Sequence, residues 1–160
     1  MKIYLIGLPG VGKSTVGKML ANRLGYTFID LDTYIEQQAM LFVDEIFHLY
    51  GEEYFRALES NSLKEVSLQE NIVVACGGGI IKNERNKDYM DGPCIYLKAD
   101  LNTIQNRIDG QTIERPLLAS KRVEDLYFER KNAYQKFQTL EIENIDLTQT
   151  VNQIIEELKL

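Results

Sequence analysis

A glycine-rich segment near the start of the chain has the residue types and spacing needed to bind phosphate. Residues 7–15 read Gly-Leu-Pro-Gly-Val-Gly-Lys-Ser-Thr and match the pattern G-x-x-x-x-G-K-[ST] at every fixed position. Glycines let backbone N–H groups surround a phosphate, while Lys13 would reach the β- and γ-phosphates and the Ser14 hydroxyl would ligate Mg²⁺. The segment predicts a nucleoside triphosphate and magnesium without separating a kinase from an ATPase or a GTPase switch. The predicted nucleotide-binding residues here are Gly10, Val11, Gly12, Lys13, Ser14 and Thr15.

Two carboxylates follow the second β-type run of the sequence. In Asp30-Leu31-Asp32 the alternation of a strand would put both side chains on one face, at the carboxyl edge where open α/β sheets hold ligands. One acid would hold the magnesium shell and the other would accept a hydrogen bond from an acceptor hydroxyl. The alternative is a solvated strand end or a helix N-cap.

Two further segments could contact a phosphoryl acceptor or donor. Gly77-Gly78-Gly79 follows the third β-type run and would allow a ligand to approach the backbone closely. Arg115, before Pro116 in a loop-like stretch, could neutralise charge on a transferring phosphoryl group when that loop closes. The alternatives are a flexible turn for the glycines and a surface position for the arginine.

The elements that must position these residues alternate between strands and helices. Apolar runs predict strands at Ile3–Ile6, Thr27–Leu31, Ile72–Cys76, Cys94–Lys98 and Glu141–Asp146. Helical spacing predicts helices at Ser14–Leu24, Phe55–Leu68, Leu101–Ile108, Arg122–Phe137 and Thr148–Leu160. This alternation predicts one α/β domain over residues 1–160, built around a parallel sheet. Residues 33–60, with two short helical pieces, are expected to form an insertion beside the sheet, and residues 109–119 a mobile loop.

Composition excludes several classes of protein. The chain has 160 residues, with 18 Lys and Arg against 24 Asp and Glu, which gives a net charge of −6. An acidic chain is a poor candidate for a general nucleic-acid binder, and no apolar run is long enough to cross a bilayer. Two cysteines and one histidine predict neither a disulfide framework nor a histidine-based metal site. We therefore expect a cytoplasmic protein with no nucleic-acid or membrane partner.

The ordered set of motifs resembles the shikimate kinase family over nearly the whole chain. The set comprises Gly7–Thr15, Asp30-x-Asp32, Phe55-Arg56, Gly77-Gly78-Gly79 and Arg115-Pro116-Leu117-Leu118. The resemblance implies transfer of the γ-phosphoryl group of ATP to the 3-hydroxyl of shikimate, in the chorismate pathway of aromatic amino-acid biosynthesis. It also implies a monomer with a three-layer α/β/α P-loop fold like that of the nucleoside monophosphate kinases. That fold has a five-stranded parallel sheet in the order 2-3-1-4-5, a substrate-binding insertion (residues 33–60) and a lid (residues 109–119).

The resemblance also assigns roles to individual residues. Asp32 matches the base or orienting group for the acceptor hydroxyl, and Asp30 matches the aspartate near the magnesium ion, which it would hold with Ser14. Arg115 matches the lid arginine that acts on the phosphates, and Arg107 matches an arginine near the adenine. Implied shikimate contacts are Arg56 and Arg130 on the carboxylate, Phe47 beside the acceptor, and Gly77, Gly78 and Gly79. Glu59 matches a glutamate that orients Arg56.

Two other functions stay open at this point. Another small-molecule kinase, such as a gluconate or nucleotide kinase, would share the phosphate-binding loop but not the Gly77–Gly79 run or the Asp30-x-Asp32 pair. A non-catalytic nucleotide-binding relative would be expected to lack Lys13, Asp32 or an acceptor arginine. A GTPase is disfavoured because the chain has no N-K-x-D tetrapeptide.

Overall fold

The computed structural model describes residues 1–110 and 122–160 as one parallel α/β sheet with surrounding helices. The strands are β1 Lys2–Ile6, β2 Thr27–Asp30, β3 Ile72–Ala75, β4 Cys94–Lys98 and β5 Leu140–Glu143. The helices are α1 Lys13–Leu24, α2 Leu31–Ala39, α3 Val43–Tyr50, α4 Glu52–Val66, α5 Asn86–Tyr89, α6 Leu101–Asp109, α7 Val123–Phe137 and α8 Leu147–Glu157, with a 3₁₀ turn at Ile80–Lys82.

The sheet has the predicted strand order, β2-β3-β1-β4-β5, and all of its pairings are parallel. Right-handed crossovers place α1 on one face, because the chain moves leftward from β1 to β2. The later crossovers all move rightward, so α2 to α7 cover the other face. Helix α8 packs beside α1 and completes three layers. The predicted fold class is confirmed.

The central strands lie in the core, as their nearly continuous apolar sequences predict. Every residue of β1 and β3 is buried, whereas the edge strands β2 and β5 are partly exposed. Both cysteines, Cys76 and Cys94, are buried and free, in agreement with a packing role. Because the central strands end at one edge, the loops that follow them gather there.

The predicted elements are correct in type, and most boundaries agree within three residues. Helix α4 begins at Glu52, three residues before the predicted start, because Glu52 and Glu53 suit the positive end of a helix and Gly51 precedes them. Residues 33–60 therefore hold most of α2, all of α3 and the start of α4, and not two short pieces alone. Whether this segment acts as a substrate-binding insertion stays a prediction, and most of the predicted lid lies outside the described residues.

Candidate active site

The phosphate-binding loop connects the buried strand β1 to α1. Gly10 and Gly12 both have the positive φ that favours glycine, 81° and 104°. Lys13 is the first residue of α1, and its Nζ atom donates hydrogen bonds to the carbonyl oxygens of Gly7 (2.6 Å) and Leu8 (3.0 Å). A helix N-terminus with backbone N–H groups at a glycine-rich loop is an anion-binding arrangement. The loop thus has the local geometry that its motif predicts.

Ser14 and Asp30 lie side by side at the edge of the cleft. The Ser14 hydroxyl donates a 2.6 Å hydrogen bond to Asp30 Oδ2, and Asp30 Oδ1 accepts one from the Thr33 amide at 3.1 Å. Asp30 is thus the N-cap of α2 as well as the neighbour of Ser14. A hydroxyl and a carboxylate are oxygen donors of the kind that Mg²⁺ prefers, and Mg²⁺ needs only one or two carboxylates besides phosphates and water.

The prediction that Asp30 and Asp32 share one face of a strand is wrong. Strand β2 ends at Asp30 and α2 begins at Leu31, so Asp32 lies in the first turn of a helix. The Asp30 side chain accepts a backbone hydrogen bond, and this cap turns the chain into a helix. Asp32 still faces the cleft.

The glycine run after β3 approaches the predicted acceptor residues closely. A Cβ atom added to Gly77 would lie 2.9 Å from Asp32 Oδ1 and 3.0 Å from Glu59 Oε2. One added to Gly79 would lie 2.5 Å from both terminal nitrogens of Arg56. A side chain at either position would therefore displace charged groups that line the cleft.

Arg56 is held in the cleft by contacts from its own helix and by two aromatic rings. Its Nη1 atom donates a 3.0 Å hydrogen bond to Glu59 Oε1. Its Cζ atom lies 5.2 Å from the ring centroid of Phe55 and 5.9 Å from that of Phe47, distances typical of cation–π contacts. The guanidinium group is thereby oriented before any ligand binds.

Glu59 is a buried carboxyl group with an unusual electrostatic environment. Only 1% of the residue is exposed, and burial raises its pKa from 4.5 to about 7. The nearby Asp32 also raises this pKa, whereas Arg56 and Arg130 lower it, and burial is the largest of these effects. The group that orients Arg56 therefore changes protonation near neutral pH.

Arg130 and Tyr134 approach the same glycine run from α7. Arg130 is only 4% exposed, and a Cβ atom added to Gly78 would lie 3.1 Å from its Nη1 atom. The Tyr134 hydroxyl donates a 2.5 Å hydrogen bond to the Gly78 carbonyl oxygen, and burial raises the pKa of this hydroxyl to about 12. Two guanidinium groups thus face one short stretch of backbone.

Arg107 and Asn144 lie at the other end of the cleft, against the phosphate-binding loop. Arg107 Nη1 lies 3.2 Å from the Gly10 carbonyl oxygen, to which it donates. Asn144 Nδ2 donates a 2.9 Å hydrogen bond to the Val11 carbonyl oxygen. The exposed Ile145 follows Asn144 and also lines the cleft.

Nearly all of the predicted site residues line one open cleft of about 1010 Å³. Two predicted residues are exceptions: Val11 is a buried residue of the loop itself, and Arg115 lies outside the described residues. The predicted residues that line the cleft are Gly10, Gly12, Lys13, Ser14, Thr15, Asp30, Asp32, Phe47, Arg56, Gly77, Gly78, Gly79, Arg107 and Arg130.

Sequence reasoning did not single out Tyr134 or Asn144. Tyr134 follows Arg130 by one helical turn, a spacing that places the two side chains on one face of α7. Asn144 follows a strand at the carboxyl edge of the sheet, which is a weak positional signal. Neither residue carries a distinctive motif, so contacts in the structure were needed to find them.

The fold and the cleft define the class of protein. A parallel sheet in this order, with a G-x-x-x-x-G-K-[ST] loop between β1 and α1, is typical of P-loop proteins that bind nucleoside triphosphates. The other end of the cleft has two arginines and a carboxylate around a glycine-rich backbone, an arrangement suited to a second anionic ligand. In the described residues no helix is both long enough and apolar enough to cross a membrane.

Comparison with known proteins then identifies the family. The family model described as Shikimate kinase matches residues 9–159, and the chain belongs to the shikimate kinase family. A shikimate kinase from Gloeobacter violaceus is 45% identical over 139 residues, which cover 84% of this chain and 78% of that protein.

Solved structures agree with this assignment. The crystal structure of shikimate kinase from Bacteroides thetaiotaomicron has a TM-score of 0.90 and 31% identity, covering 100% of this chain and 99% of that one. Shikimate kinase from Acinetobacter baumannii, solved in complex with shikimate, has a TM-score of 0.88 and 28% identity. The match covers 99% of this chain and 92% of that one.

A gluconokinase from Sinorhizobium meliloti also shares the fold. Its TM-score is 0.57 with 16% identity, over 99% of this chain and 95% of that one. At that identity the likeness concerns the fold alone and carries no information about the acceptor.

Proposed function

We propose that this chain transfers the γ-phosphoryl group of ATP to the 3-hydroxyl of shikimate, giving shikimate 3-phosphate for chorismate and aromatic amino-acid biosynthesis. The observation that carries this proposal is the pair of guanidinium groups, Arg56 and Arg130, beside the Gly77–Gly79 backbone in a cleft that also holds the phosphate-binding loop. The complex of the Acinetobacter baumannii relative with shikimate supports the same acceptor.

The acceptor end of the cleft suits a small hydroxylated carboxylate. Arg56 and Arg130 can each offer a planar two-point contact to a carboxylate. Phe47 would cover the ring, and the backbone of Gly77–Gly79 would approach its hydroxyl groups. Because the chain as a whole is acidic, attraction of this anion must come from these local groups.

The donor end suits the triphosphate of ATP. The loop N–H groups and Lys13 would hold the phosphates, with Arg107 near the nucleoside and Thr15 at the start of α1. The Ser14 hydroxyl and the Asp30 carboxylate fit Mg²⁺, which supplies charge neutralisation at the β- and γ-phosphates when bound. Between them, these groups stabilise the negative charge that spreads over the transferring phosphoryl group.

Asp32 lines the cleft beside Gly77 and would orient the attacking hydroxyl and accept its proton. Phosphoryl transfer depends mainly on positioning and charge stabilisation. Arg56 and Arg130 fix the ring, Asp32 directs the hydroxyl, and Lys13 and Arg115 neutralise the phosphates. Residues 109–119 are the proposed lid, whose closure over the substrates would exclude water and suppress ATP hydrolysis.

We also propose that the enzyme acts as a cytoplasmic monomer. ATP as co-substrate and two free cysteines are consistent with a reducing compartment. The monomer is what the family resemblance implies, and sedimentation equilibrium would test it.

ADP release from Mg-ATP, with a panel of acceptors, tests the proposed function. We expect turnover with shikimate and not with gluconate or nucleoside monophosphates, since those acceptors do not combine a ring carboxylate with a matching hydroxyl. Turnover with one of them instead would contradict the acceptor assignment. Nucleotide binding without turnover of any acceptor would favour a non-catalytic relative.

A further inference from the structure

Asn144 connects the phosphate-binding loop to the far edge of the sheet. Its backbone N–H donates a 2.7 Å hydrogen bond to the Lys98 carbonyl oxygen, which fixes the residue at the end of the β4–β5 pair. Its side-chain Nδ2 donates a 2.9 Å hydrogen bond to the Val11 carbonyl oxygen, 133 residues away along the sequence. The loop therefore receives support from outside the β1–α1 unit.

A buried threonine sets the orientation of the Asn144 amide. The Thr150 hydroxyl, on α8, donates a 3.0 Å hydrogen bond to Asn144 Oδ1. Thr150 is only 2% exposed, so its hydroxyl has little access to water. With Oδ1 occupied by this donor, Nδ2 is directed at the loop. The three groups form a chain from Thr150 through Asn144 to Val11.

The Asn144 amide lies in close contact with the loop. A Cβ atom added to Gly12 would lie 2.5 Å from Asn144 Nδ2. A side chain at this position would therefore displace the Asn144 amide, and the positive φ of 104° also favours glycine here. The Asn144 amide thus occupies the space beside the Gly12 backbone, next to the loop that is taken to bind phosphate.

The contact with Val11 fixes a peptide plane. In a trans peptide the C=O and the next N–H point in opposite directions, and no peptide in the described residues is cis. Holding the Val11 carbonyl toward Asn144 therefore turns the Gly12 N–H the opposite way. We propose that Asn144, oriented by Thr150, is a positioning residue that aims the Gly12 N–H at the phosphates of the bound nucleotide. This inference rests on the proposed function, because it takes the loop to bind the phosphates of ATP.

Arg107 is a weaker candidate for the same task. Its Nη1 atom lies 3.5 Å from the Val11 carbonyl oxygen, against 2.9 Å for Asn144 Nδ2. Arg107 is also exposed, and an exposed long side chain loses more rotational freedom when it is fixed. The shorter bond from the half-buried amide thus dominates the orientation of this peptide.

Thr150→Val tests the proposal with little change in side-chain volume. Removing the hydroxyl frees the Asn144 amide to rotate, so we expect ADP to bind about three- to tenfold more weakly by titration calorimetry, the effect of losing one neutral hydrogen bond. Asn144→Ala should weaken ADP binding in the same way. The double variant should bind ADP about as weakly as Asn144→Ala alone, because both changes break the same chain of contacts.

Three comparisons separate this role from a general structural one. Thr150→Ser, which keeps a hydroxyl, should restore ADP affinity. Thr148→Val, the same change at an exposed position of α8, should leave ADP affinity at the wild-type value. Shikimate affinity should be unchanged in every variant, because the Gly77–Gly79 end of the cleft does not depend on Asn144.

Wild-type ADP affinity in both Thr150→Val and Asn144→Ala would overturn the proposal. Equal losses of ADP and shikimate affinity would also overturn it, since they would indicate general destabilisation. Failure of the proposed function would look different. Wild-type protein that binds ADP without phosphorylating shikimate would refute that function, and ADP affinities of wild type and variants could still be compared.

Discussion

Glu59 shows how burial of a single carboxyl group links protonation to stability. The folded protein raises its pKa from 4.5 to about 7, so the folded state holds this proton more tightly than the unfolded chain does. The carboxyl group then favours folding below pH 4.5, and this contribution is lost as the pH rises through 7. The full effect of such a shift is roughly 3 kcal/mol.

Replacing Glu59 with glutamine should remove this pH dependence. We expect the free energy of unfolding of the wild type to fall relative to that of Glu59→Gln as the pH rises from below 4.5 to above 7. Urea unfolding of both proteins across this range measures the difference. Parallel curves for the two proteins would show that the Glu59 carboxyl titrates normally in the folded state.

Asp32 should contribute to catalysis and little to nucleotide binding. An amide can hold a hydrogen bond but cannot accept the hydroxyl proton, so Asp32→Asn should lower kcat by about 10²- to 10⁴-fold. The affinity for ADP should stay at the wild-type value. Asp88→Asn, the same change at an exposed position of α5, serves as the control. A wild-type kcat in Asp32→Asn would refute the assigned role.

At the scale of single residues, sequence patterns predicted which side chains matter better than how they are arranged. The Asp30-x-Asp32 pair was predicted to lie at the ligand-binding edge of the sheet, and both acids line the cleft. It left open whether Asp30 ends a strand or caps a helix, because a strand end and a helix N-cap have the same local composition. The burial of Arg130 was also not predictable, since arginine is mostly exposed unless partners converge on it from distant parts of the chain.

At the scale of elements, the loop after β3 brings its backbone against Arg56. The Gly79→Ala substitution would place a Cβ atom 2.5 Å from the Arg56 guanidinium nitrogens. Because Arg56 is a flexible side chain, we expect it to move and the protein to fold. Loss of its proposed contact with the shikimate carboxylate should raise the KM for shikimate roughly tenfold or more.

An unchanged ADP affinity in Gly79→Ala would show that the damage is confined to the acceptor end. Steady-state kinetics with varied shikimate, together with ADP calorimetry, measure both effects. A KM for shikimate equal to that of the wild type would mean that Arg56 does not bind the acceptor in the observed position.

The positions of the strands were predictable because β1, β3 and β4 are buried on both faces and so have continuous apolar sequences. Their order in the sheet was not contained in that pattern and came from the family resemblance. The start of α4 was misplaced because its first turn is polar and gives no apolar signal.

At the scale of the whole molecule, the fold joins groups from eight parts of the chain into one cleft. The proposed donor end is built by the β1–α1 loop, α6 and the segment after β5. The proposed acceptor end is built by α2, α3, α4, α7 and the loop after β3. The cleft brings Lys13, Arg56, Arg107 and Arg130 together in an acidic protein, whose net charge is −6. Recognition of two anionic substrates is therefore a property of the fold and not of the overall composition.

The central claim is phosphoryl transfer to shikimate, and direct detection of the product tests it. Purified protein would be incubated with Mg-ATP and shikimate, and the phosphorus-containing products identified by phosphorus NMR and mass spectrometry. We predict one shikimate 3-phosphate for each ADP formed, and no ADP when shikimate is omitted. ADP accompanied only by inorganic phosphate, or phosphate attached to another acceptor in place of shikimate, would contradict the account.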